Sequence, residues 1–163
     1  MREPTNSDLE RIVQRLTDRR VFVRRRLPVV QGAAGLAMQS KAGGFYIDVD
    51  PSLTGEDLLR VFCHEAAHIK RNDPTPSNWH NEPSGCIKNP VVLAYSAALP
   101  RETETDRLAA GWVKFAQEHA PEYGGSPWQA LCKWQDPALK SLIDQAVKTG
   151  VAMALSRLEI KRR

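Results

Sequence analysis

The chain has 163 residues, of which 42% are hydrophobic and 26% charged, a balance that excludes a wholly disordered or fibrous protein and leaves room for a buried core. Its formal charge of +4 resides in the first thirty residues, where eight arginines face Glu3, Asp8, Glu10 and Asp18. Three cysteines, Cys63, Cys86 and Cys132, with no CxxC pair, exclude a disulfide framework and a cysteine-rich zinc finger. No apolar run near Met1 suits a secretory signal, and none later approaches the ~18 apolar residues of a membrane span, so a cytosolic protein without membrane contact is expected. Only Phe22 interleaves with Arg24, Arg25 and Arg26, so the basic cluster reads as a solvated face and nucleic acid is not expected as a direct ligand.

In chain order, Ser7 with Glu10 offers a capping box, and Leu9, Ile12, Val13 and Leu16 recur at helical spacing, which predicts a helix from about Ser7 to Arg19. The segments VFVRRRLPVV, GLAMQS and GGFYIDVD then read as short strands broken by Pro28, Gly32, Gly35 and the pair Gly43–Gly44. They predict a small antiparallel sheet. Thr54 and Asp57 form a second cap that opens a helix through EDLLRVFCHEAAHIKR. From Asn72 to Pro90 the chain reads as a long irregular loop of the kind that often carries function. Pro100 suits the first turn of a helix carrying RETETDRLAAGWVKFAQEH, and a short helical piece lies at WQALCKW. Asp136–Pro137 starts a last helix whose Leu139, Leu142, Ile143, Val147, Val151 and Leu155 are expected to close the core. One α+β domain over residues 1–163, with several helices packed against the sheet, is the economical description.

The HEAAH stretch holds half of the chain's four histidines. Positions four apart on a helix lie about 40° from each other, so His64 and His68 project from one face within reach of a common ion. Glu65 is about 100° round from His64, beside such an ion, where a general base belongs. In random order this composition would yield the pattern roughly 0.006 times per chain. Tetrahedral zinc then lacks one protein ligand. Glu102, near the start of its own helix, is the first choice, with Glu104, His80 and His119 as other candidates. Asp106, one turn on, suits a carboxylate that orients a ligating histidine; Ala109 and Val113 continue that face and suit packing beneath the site. Tyr95 and His80 are candidates for steadying a tetrahedral oxyanion, and GGFYIDV for lying along the cleft and pairing with an extended substrate. Cys63 reads as a buried filler and the four tryptophans as core or loop anchors.

The two motifs, HEAAH at 64–68 and ETETD at 102–106, resemble the gluzincin metallopeptidases, in which a second helix supplies Glu-x-x-x-Asp. The early helix, the small strands ending in FYIDVD and the helix running into HExxH look like the ImmA/IrrE family of intracellular metallopeptidases. The likeness covers roughly residues 8–116, with Thr105 and Leu108 where the family motif has alanine and phenylalanine. It implies a zincin-like domain, a resident Zn2+ and a protein or peptide substrate, with DNA-binding transcriptional repressors as the substrate class. The competing expectation is a non-catalytic binding module whose basic N-terminal helix contacts nucleic acid or an acidic protein, with any zinc structural.

Overall fold

The computed structural model describes residues 2–30, 32–40, 42–72, 75–76 and 100–161; for residues 75, 76, 100–102, 139 and 154–161 it describes the backbone alone. Helix α1 (Asn6–Thr17) starts one residue before the expected position because the capping box is Thr5 with Asp8, not Ser7 with Glu10. Thr5 Oγ1 accepts from the Asp8 N–H at 3.2 Å while Asp8 Oδ2 accepts from the Thr5 N–H at 3.0 Å. The Thr5 hydroxyl and N–H, donating to the Asp8 carboxyl, hold its pKa down at about 2. Glu10 is thereby released for another task. Its Oε1 accepts from the Val23 N–H at 3.1 Å, which ties α1 to the first strand.

Three strands follow: β1 (Val21–Arg25), β2 (Gly35–Gln39) and β3 (Phe45–Val49). The two-residue β4 (Thr75–Pro76) extends the sheet beside the end of β2, giving the order β1-β3-β2-β4. β2 and β3 pair antiparallel, as expected, but β1 and β3 run parallel with Val21 opposite Phe45, so the sheet is mixed. Loop length explains the difference. A tight hairpin takes two to five residues, whereas the segment between β1 and β2 runs from Arg26 to Ala34 and carries Pro28, so β3 can slot between the two strands. Asp48 on β3, fully buried, accepts from Arg24 Nε at 2.6 Å and Arg26 Nε at 2.8 Å, which clamps the β1 side of the sheet.

Helix α2 (Gly55–Arg71) begins after Thr54, whose side chain makes no cap hydrogen bond; the Gly55 N–H donates instead to Glu3 Oε1 at 2.8 Å. The expected Thr54–Asp57 cap is therefore replaced by a carboxylate reaching across from the N-terminal segment, which suits the positive end of a helix. Leu58, Leu59, Phe62, Cys63, Ala66 and Ile69 of α2 are buried against Leu9, Ile12, Val13 and Leu16 of α1 and the inward residues of the sheet, including Val23, Ile47 and Val49. Helix α3 (Pro100–His119) lies against α2 and adds Ala109, Trp112, Val113 and Ala116 to the same core.

A 3-10 turn (Ala120–Tyr123) and short helix α4 (Pro127–Leu131), capped by Ser126, bring Trp128 against Phe62 of α2 and Leu131 into the same core. Trp112 and Trp128 are buried core residues, as expected, and Trp134 packs against Phe115 with ring centroids 5.0 Å apart; Trp79 lies outside the described residues. Helix α5 (Pro137–Lys161) departs from expectation. Its Leu142, Ile143, Val147 and Val151 are each more than half exposed, so it does not close the core. The core is formed without it, with Trp112, Trp128 and Leu131 among its members. Among the described residues no helix is long and apolar enough to cross a membrane.

Candidate metal centre

The site forms where α2 passes over β2 and faces α3. Just beyond the two ends of β2, Ala34 C=O accepts from the Asp50 N–H at 2.9 Å and the Ser40 N–H donates to Gly44 C=O at 2.8 Å, which marks the even-numbered residues as those bonded to β3. Ala37 therefore turns its N–H to the opposite edge. Glu65 Oε2 accepts it at 2.6 Å, and this places a buried carboxylate between the strand and the histidine-bearing face of α2. The close approach depends on Gly35. A Cβ there would lie 2.6 Å from Val61 Cγ1 and 2.8 Å from Glu65 Cγ. Gly35→Ala is accordingly expected to push α2 off β2 and to destabilise the protein by about 1–3 kcal/mol, read as a lower denaturant midpoint; an unchanged midpoint would show that the contact yields freely.

One turn of helix separates His64 from His68, and their Nε2 atoms meet at 3.1 Å with the rings inclined at 80°. Asp106 of α3 fixes the first ring. Its Oδ1 lies 2.9 Å from His64 Nδ1, and since a carboxylate only accepts, Nδ1 carries the hydrogen of this contact and Nε2 is the nitrogen turned toward His68. Two nitrogens bound tetrahedrally to one zinc ion at 2.0–2.1 Å are about 3.3 Å apart. The observed separation fits such an ion, and the Asp106–His64 contact fits the carboxylate that orients a ligating imidazole.

Among the described residues no group of three or more His, Cys, Asp or Glu side chains is placed to share one ion. Glu102 lies in the first turn of α3, one turn before Asp106, and its side chain is outside the described set. His80 and Tyr95 fall outside the described residues altogether. The other candidates are placed elsewhere. His119 is thirteen residues along α3 from Asp106, about 20 Å away, with its Nδ1 2.8 Å from Glu122 Oε1. Glu104 is exposed, with an oxygen 4.0 Å from Arg107 Nη1.

A cleft of about 580 Å3 opens beside His64, walled by Ala34 and Gly35 on one side, Val61, His64 and Glu65 below, and Asp106 across from them. Ala109 and Val113, both buried, floor its α3 side as expected from their helical spacing. Arg60, Lys114 and Gln117 form one rim. There the Arg60 guanidinium, donating to Glu56, holds that exposed carboxyl below its usual range. The expectation that GGFYIDV borders the cleft is corrected: β3 is central, with both edges occupied by β1 and β2, and the strand at the cleft is β2. Sequence reasoning also missed the pairing of Glu65 with the Ala37 N–H. Gly35 at the start of a strand was its only signal, as a mark of close backbone approach. Cys63, next to His64, is fully buried in the core, as expected of a filler, and burial pushes its thiol pKa up.

Comparison of the chain with protein-family models, with curated proteins and with solved structures returns no match in any of the three.

Proposed function

We propose that the protein is a zinc-dependent endopeptidase acting on a protein substrate, in the manner of the ImmA/IrrE-like enzymes that its two motifs resemble. The observation that carries this reading is the meeting of His64 Nε2 and His68 Nε2 at 3.1 Å, with Asp106 holding the far nitrogen of His64 and a buried glutamate next in the chain. His64 and His68 would hold the metal, and Glu102 would be the third donor. When bound, the ion supplies a Lewis acid that lowers the pKa of water and polarises a peptide carbonyl.

The remaining work falls to this chain's own residues. Glu65 takes the proton from the attacking water and returns it to the leaving amine. The Ala37 N–H orients that carboxylate, so the strand that walls the cleft also aims the base. An extended peptide lies in the cleft where β2 begins, beside Ala34 and Gly35. Tyr95 and His80 are the proposed donors to the oxyanion, and a DNA-binding repressor is the proposed substrate class.

The reading is tested by incubating zinc-loaded and chelator-treated protein with host lysate and identifying new peptide termini. New termini that require zinc support it; identical peptide sets overturn it. Asp106→Asn should weaken zinc binding by about 10–100-fold, measured by competition with a chromophoric chelator, because the amide presents its NH2 or a weaker acceptor to His64 Nδ1. An unchanged affinity would remove Asp106 from the site.

A further inference from the structure

The arginine cluster has a different neighbourhood in three dimensions from the one its sequence suggests. Residues 20, 22, 24 and 26 alternate with the inward-facing Val21 and Val23, so Arg20, Phe22, Arg24 and Arg26 share the outer face of β1. The parallel register sets Phe22 directly opposite Tyr46. The two rings stack with centroids 5.5 Å apart and planes 26° from parallel. Arg20 places its guanidinium 5.2 Å from the Phe22 ring centroid, and Arg24 lies 4.8 Å from that of Tyr46. An aromatic partner for Phe22, absent from the local sequence, is thus supplied by β3.

The charges on this face are only partly neutralised. Asp48 serves both Arg24 and Arg26, so that trio keeps one net positive charge, and Arg20 adds another. The side chains of Arg24 and Arg26 remain 37% and 49% exposed, and Phe22 is 39% exposed. Exposed Phe22, stacked on a half-buried Tyr46 and flanked by arginines on a sheet surface, offers ring surface for a base and cations for phosphates in one strip about 20 Å long. The Asp and Glu side chains of an acidic peptide would satisfy the cations but carry no ring to lay on Phe22, whereas every nucleotide pairs a phosphate with a base.

We propose that the outer face of β1 and β3, built from Arg20, Phe22, Arg24, Arg26 and Tyr46, binds single-stranded nucleic acid without strong sequence preference. None of these residues lines the cleft, so binding here is independent of the metal centre.

The test is fluorescence anisotropy of a labelled 20-nucleotide oligo(dT) titrated with the full chain at 50 and 200 mM salt. Contact with about three phosphates should weaken binding about twentyfold between the two conditions. Phe22→Ala, at a position already open to solvent, should weaken binding at least about fivefold, and the exposed Arg20→Glu at least as much, with thermal midpoints kept near the parent's. Poly-glutamate at equal charge should displace the oligonucleotide poorly. Absence of binding at 50 mM salt, parent-like binding by both variants, or displacement by poly-glutamate as efficient as by unlabelled oligo(dT) would each overturn the proposal.

Discussion

Replacing Glu65 with glutamine should lower peptide-bond cleavage by about 10^2–10^4-fold and leave zinc binding almost intact. The amide is nearly isosteric and its oxygen can still accept the Ala37 N–H that Glu65 Oε2 accepts at 2.6 Å, so the packing of α2 on β2 is preserved. What is lost is the ability to take a proton. Zinc stays because the substitution leaves His64, His68 and Asp106 in place. Two readings have to be taken on the same sample: bound zinc per chain, and the rate at which new peptide termini appear. Full zinc with cleavage reduced a hundredfold or more is the expected pair. Cleavage at the parent rate with zinc retained would show that Glu65 is not the base, whatever holds the metal.

The second large effect concerns the scaffold. Phe62→Ala should cost about 3–5 kcal/mol, lowering the thermal midpoint by about 6–20 °C for a chain of this size. Phe62 is fully buried in the middle of α2, and its ring meets Trp128 of α4 edge-on with centroids 5.9 Å apart. It therefore joins the histidine-bearing helix to the far side of the core, and the cavity left by alanine is bordered by groups fixed in other elements, which limits collapse. The measurement is thermal unfolding of the metal-free protein, so that ligand linkage does not mask the change. A shift below 2 °C would mean that α2 is held by other contacts.

These expectations show which parts of the molecule could be read from residue order. Local signals carried far: the α1 stripe Leu9, Ile12, Val13 and Leu16 is buried, and the 64–68 spacing brings two rings together. Both follow from helical periodicity, which needs no knowledge of neighbouring elements. The pairing of Asp106 with His64 was legible for a related reason, since its spacing from the expected third donor, Glu102, puts it on the same helix face.

Non-local geometry was less accessible. The parallel pairing of β1 with β3 depends on the nine-residue connection from Arg26 to Ala34 permitting an insertion, and Phe22 acquires Tyr46 as a neighbour only through that register. Helix α5 has apolar residues at helical spacing but spreads them round far more of its circumference than α1 does, and the described ones stay exposed. Periodicity marks a face and says nothing about whether the core takes it up. At the N-termini, two overlapping capping patterns competed, and the choice of Thr5–Asp8 freed Glu10 to reach the Val23 N–H, a contact thirteen residues away in sequence.

X-ray absorption at the zinc edge of the zinc-loaded protein addresses the metal centre most directly. One ion per chain with two imidazole nitrogens and oxygen donors at about 2.0–2.1 Å, and loss of stoichiometric zinc in both His64→Ala and His68→Ala, is the result expected. A spectrum with sulfur at about 2.3 Å, or full zinc retention in either variant, would contradict the centre described.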